Sequence, residues 1–148
     1  NYKDIIKIRE FLIKNNLYKI YFYLMYWGLA SNSLFEYLYY LIKENKMNKI
    51  REISEKIEKL YEGEKLFIKL IKLGESSKGS KYMNEIKKLN EKYDLYYNLL
   101  FSYILENKNK EFEETYKKFR ELLNEYEKLI KKIIDEINLK SKDKSYYL

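Results

Sequence analysis

At 148 residues with 46% apolar content, the chain is long enough to bury its own core, and 36% charge demands a well-solvated outer face. It has no His, Cys, Pro, Val or Gln, which excludes imidazole acid–base chemistry, thiolate nucleophiles, metal sites built on either, and disulfides. The formal charge of +7 comes almost wholly from Lys, with Arg only at positions 9, 51 and 120, and it is spread along the chain instead of gathered as in dedicated nucleic-acid binders.

With no Pro and only four Gly, little interrupts a helix, and the apolar residues recur at helical spacing. Eighteen Tyr and seven Phe against one Ala mean that rings fill much of the interior. Ile5, Ile6, Ile8, Leu12 and Ile13 form the stripe of a first helix that ends at Asn15 and Asn16. LYKIYFYLMYWGLA (17–30) follows, with Lys19 as its single charge. Fourteen helical residues rise about 21 Å, short of a bilayer core of about 30 Å, so this reads as a buried central helix and no membrane is expected. Ser33 and Glu36 predict a capping box opening a third helix. Asn48 predicts the cap of a fourth, striped by Ile50, Ile53, Ile57 and Leu60. Gly63 is expected to start or bend a fifth helix, and Gly74 to stop it in a left-handed conformation. ESSKGS (75–80) is the expected flexible loop. From Tyr82 to Tyr103 a heptad stripe runs through Ile86, Leu89, Tyr93, Tyr96 and Leu100. After a turn at 106–110, a long last helix aligns Phe112, Phe119, Tyr126 and Ile133 on one seam. The reading is a single all-helical domain over 1–139, of seven or eight helices, with a frayed tail at 140–148.

Residues 36–60 match residues 98–122 at a constant offset of 62, with Leu38, Ile42, Glu44, Asn45, Glu52 and Leu60 recurring as Leu100, Ile104, Glu106, Asn107, Glu114 and Leu122. Half that offset is the period of stacked helical hairpins. Tyr96, Leu99, Tyr103, Phe112, Phe119 and Leu122 in the stretch 95–122 resemble the pattern of tetratricopeptide-type (TPR-like) repeats. Where that family keeps small residues this chain has Leu100 and Thr115. The resemblance implies antiparallel hairpins stacked as an α-solenoid. A non-repeating, irregular multi-helix bundle is the alternative architecture.

No catalytic constellation emerges from the carboxylates, Lys and Tyr that remain, and neither a cofactor nor a metal is expected. Glu36 is explained by capping, and Lys19 by a long stem reaching water. Carried over by position, the resemblance implies a partner-binding groove lined by Arg9, Phe35, Tyr39, Lys43, Tyr97 and Phe101. Aromatics beside cations suit a partner helix or an acidic segment. The alternative of a basic nucleic-acid-binding subunit points to Lys87, Lys88, Lys131 and Lys132, and a further alternative is a structural helical oligomer. The expected function is thus non-enzymatic: an intracellular scaffold that binds a protein partner or itself.

Overall fold

The computed structural model describes residues 2–26, 32–76 and 79–146. Among them are six α-helices, one 3-10 turn and no strand, so the all-helical expectation holds. The helices are α1 (Tyr2–Lys14), α2 (Tyr18–Tyr26), α3 (Asn32–Lys43), α4 (Met47–Gly74), α5 (Met83–Leu105) and α6 (Asn109–Tyr146), with the 3-10 turn at Gly79–Tyr82. The chain divides into two compact units. One comprises Asn1–Glu62 with Ser102–Lys108, the other Gly63–Phe101 with Asn109–Leu148.

In the first unit α1 packs on α2 and α3. Ile8, Leu12, Ile20, Tyr23, Leu34 and Leu38 are its buried centre, drawn from the stripes that the periodicity marks. Lys19, alone among these apolar residues, reaches Glu58 across a 3.7 Å ion pair with both side chains about half exposed. In the second unit rings do the filling. Tyr93 stacks on Phe67 at 4.5 Å and meets Phe119 at 5.5 Å and Tyr126 at 5.9 Å, and Phe112, Phe119, Tyr126 and Ile133 are fully buried along one seam of α6.

Three helices end in the same way. Asn16, Asn45 and Asn107 have φ of 60°, 55° and 59°, the left-handed conformation that only Gly and, less readily, Asn adopt with ease. Around each, two backbone bonds close a Schellman motif. Leu17 N donates to Leu12 O and Asn16 N to Ile13 O; Lys46 N donates to Leu41 O and Asn45 N to Ile42 O; Lys108 N donates to Tyr103 O and Asn107 N to Ile104 O. The offset of 62 in the sequence is therefore the recurrence of a corner, Asn45 returning as Asn107.

Several local expectations are corrected. Ser33 and Asn48 each lie inside the first turn of their helices, α3 and α4, and not at the caps. No helix starts at Gly63: α4 runs through it without a break, and the glycine is there because Phe119 leaves no room for a side chain. Gly74 is the last residue of α4 and has no positive φ; its neighbours are Ile86 and Met83. Of the 75–80 stretch, 77–78 lie outside the described residues. In the rest, Ser76 Oγ donates to Leu73 O at 2.5 Å and accepts from Gly79 N at 3.0 Å. A Cβ at Gly79 would fall 1.7 Å from Leu73 O, so this approach requires glycine. The helix α6 continues through 140–146, where the sequence expectation is a frayed tail. Within 17–30 a helix forms, α2, up to Tyr26, but it is not buried on all sides: Ile20, Tyr23 and Leu24 are buried while Tyr18 and Phe22 are about half exposed, and 27–31 lie outside the described residues. No helix among the described residues is long and apolar enough to cross a membrane.

Candidate partner-binding clefts

Of the six groove residues expected from the sequence, Arg9, Phe35, Tyr39 and Lys43 fall in the first unit, Tyr97 and Phe101 in the second. An open cleft of about 320 Å³ lies between α1 and α3, with Asp4, Ile5 and Ile8 on one side and Asn32, Phe35, Glu36 and Tyr39 on the other. Phe35 and Tyr39 are thus brought together four residues apart on one face of α3. Arg9 and Lys43 do not line the cleft. The charges beside the two rings are the carboxylates of Asp4 and Glu36, where the sequence expectation is cationic. Arg9 is half-buried, and its Nε is buried without a hydrogen-bond partner among the described residues. Lys43 stands exposed in the last turn of α3. Tyr97 stacks on Tyr93 at 5.7 Å and is half-buried, as is Phe101 on α5.

The four lysines of the alternative reading are all exposed and divide in two. Lys88 and Lys132 line a crevice of about 510 Å³ between α5 and α6, together with Glu85, Leu89, Lys92, Glu125, Lys128 and Leu129. Lys87 and Lys131 sit on the same helices but outside it. Each helix supplies one copy of the same eight-residue pattern, Glu-x-x-Lys-Leu-x-x-Lys, at 85–92 and at 125–132. That spacing keeps all four named positions on one helical face. Two side-chain hydrogen bonds set the register: Tyr82 OH donates to Glu136 Oε1, and Tyr126 OH donates to Asn90 Oδ1 at 2.7 Å. From Tyr82, the last residue of the 3-10 turn, to Asn90 on α5 the number rises while that of the bonded residue on α6 falls from 136 to 126, so α5 and α6 are antiparallel here. In this register Glu85 stands across from Lys132 and Lys92 across from Glu125, with Lys88, Leu89, Lys128 and Leu129 between them. Sequence reasoning missed Lys92, Lys128 and the two leucines; the signal that finds them is the duplicated eight-residue pattern.

One end of the crevice is tied down by charge. Lys81 Nζ pairs with Glu136 Oε2 at 2.9 Å, and Lys81 and Lys132 lie 5.1 and 5.2 Å from the centre of the Tyr82 ring. The bond from Lys81, then that from Tyr82, holds the Glu136 carboxyl below its ordinary value, and the same Glu136 bond raises Tyr82 and Lys81. In the first unit Glu52 is lowered chiefly by its bond from Lys56, at 3.1 Å. Burial, followed by the charge of Asp94, raises the Tyr126 phenol.

The fold is therefore that of an all-helical protein whose accessible clefts are lined by charged side chains over apolar floors. The family model for dynein heavy chain, N-terminal region 1, matches residues 2–141. The chain belongs to that family. No curated protein and no solved structure matches it. The family match overturns the tetratricopeptide-type resemblance. The helices also depart from short paired repeats of about 34 residues per hairpin, since α4, α5 and α6 have 28, 23 and 38 residues. What 36–60 and 98–122 share is the Asn-centred corner with amphipathic flanks, which a biased alphabet of Lys, Glu, Asn, Ile, Leu and Tyr writes in similar letters.

Proposed function

We propose that this chain is a non-catalytic scaffold segment of a dynein heavy chain-type assembly, working inside the cell by holding other protein chains. The observation that carries this reading is the family match over residues 2–141. A sequence without His and Cys, the usual sources of acid–base and nucleophilic chemistry near neutral pH, supports it. Long amphipathic helices with ring-filled interiors supply rigid faces for docking. The partners in this reading are protein subunits of such a complex or a second copy of the chain.

The test is cross-linking of the tagged full chain in its source cell, followed by mass spectrometry before and after nuclease treatment. The expected result is nuclease-resistant cross-links to protein subunits of a motor complex. Recovery solely of nuclease-sensitive partners overturns the proposal.

A further inference from the structure

We infer that the α5–α6 crevice is a docking site for an acidic amphipathic helix of a partner protein, seated with an apolar side chain on Leu89 and Leu129 and carboxylates on Lys88, Lys92 and Lys128. The inference rests on the scaffold reading for the occupant being a protein segment, and it deepens that reading by naming the surface and the partner's chemistry.

The lining carries four lysines against two glutamates, set around two leucines. Lys132 is engaged by the Tyr82 ring. Lys88, Lys92 and Lys128, like Glu85 and Glu125, take part in no ion pair among the described residues, although opposite charges face each other across the crevice. Three cations thus stand open at the rim. Leu129 beneath them is 6% exposed and Leu89 half-buried, leaving an apolar floor with a cationic edge. The eight residues from 85 to 92 rise about 10 Å, the length of two helical turns, which matches two successive turns of a docked helix.

Charge selects among occupants. A nucleic-acid backbone would bring phosphates against Glu85 and Glu125 at the two ends, and the crevice has no Arg for bidentate phosphate contacts. A second copy docked face to face would set Lys88 and Lys128 against the same lysines of its partner, since a two-fold interface is self-complementary. An acidic helix with one apolar face can seat a side chain on Leu89 and Leu129, which a phosphate backbone cannot, and can carry basic or neutral residues where it meets Glu85 and Glu125. The duplicated pattern across antiparallel helices also makes the crevice nearly the same when read from either end. A docked helix is therefore accepted in both directions.

The experiment measures fluorescence anisotropy of an 18-residue helical peptide with a Leu stripe flanked on both sides by Glu, titrated with the full chain at low and moderate salt. A peptide of the same apolar pattern with Lys in place of Glu and a single-stranded oligonucleotide are run beside it. The expected result is saturable one-to-one binding of the acidic peptide alone, weakening with salt. Lys88→Glu with Lys128→Glu weakens it about tenfold or more, because two attractions become repulsions. Lys88→Ala with Lys128→Ala weakens it less, and Lys87→Glu with Lys131→Glu, outside the crevice, leaves it within about twofold. Circular dichroism confirms that each variant folds. Equal loss in the Lys87 and Lys131 variant, equal binding of both peptides, or tighter binding of the oligonucleotide through Lys88 and Lys128 overturns the inference. In the cell, cross-links that persist in the Lys88→Glu, Lys128→Glu chain at wild-type yield reject the crevice while leaving the scaffold reading intact. Loss of every protein cross-link from the wild-type chain rejects both.

Discussion

Gly63 on α4 lies so close to the Phe119 ring on α6 that a Cβ at this position would come 2.5 Å from Phe119 Cζ and 2.8 Å from its Cε1. The ring has little room to retreat, since Tyr93 and Tyr116 stand 5.5 and 6.4 Å from it, centre to centre. Replacing a helical Gly by Ala ordinarily stabilises by about 1 kcal/mol. Here overpacking of about 1–3 kcal/mol opposes that gain, so Gly63→Ala is expected to destabilise by about 1 kcal/mol. Thermal unfolding should show a fall of about 2–4 °C. Adding Phe119→Leu frees space, and the double-mutant cycle should show favourable coupling between the two changes; strict additivity would refute the packing account.

The Asn corners separate backbone from side-chain roles. Asn45→Ala forces a Cβ-bearing residue without Asn's local hydrogen bonds into φ near 55°, a change expected to cost about 1 kcal/mol, whereas Asn45→Gly is expected to be neutral or mildly stabilising. Asn107 adds a second role, because its Oδ1 accepts from Lys49 Nζ. Asn107→Gly therefore keeps the corner but loses that bond and should fall below Asn45→Gly in urea midpoint. Equal effects of the two Gly variants would show that the Lys49 bond contributes nothing.

Acid should weaken the fold through Glu52 and Glu136. Both carboxyls are held below the ordinary value of 4.5, Glu52 by Lys56 first and Glu136 by Lys81 first. Their contribution is present above that value and lost as pH falls through the lower folded values. Denaturation midpoints measured from about pH 6 down to about pH 3 should drop, and Glu136→Gln should start slightly lower at about pH 6, fall less steeply and converge with the wild type toward about pH 3. An unchanged acid limb in the variant would rule out Glu136 as a contributor.

Alkali should act through Tyr126. Its phenol is raised above 10, so the stability it contributes is present below that value and lost as pH climbs through the folded one. Tyr126→Phe removes the donor to Asn90 and should destabilise by about 1 kcal/mol near neutral pH. It should also flatten the alkaline limb relative to the wild type.

Helix content and core were legible because they follow periodicity. The seam Phe112, Phe119, Tyr126 and Ile133 lies seven residues apart in sequence and is fully buried. Terminators were less legible. Glycine is the usual left-handed residue, yet here Asn16, Asn45 and Asn107 take that conformation, and Gly63 is kept for a close approach that no local pattern announces. Which of the six groove residues come together was legible only in part. Tyr97 sits at an outward position by spacing alone, but a core built of rings draws it onto Tyr93. The crevice lysines were half visible: adjacent pairs such as Lys87 and Lys88 catch the eye, although only one of each pair lines the crevice.

The shared corner chemistry at Asn16, Asn45 and Asn107 bears on how such a chain tolerates change in length. Because each bend is closed by its own backbone amides and a single left-handed Asn, it needs no distant side chain to take shape. Whole segments running from one bend to the next are therefore natural modules for duplication or excision. A trim of one or two residues between bends would instead rotate every downstream stripe away from its core.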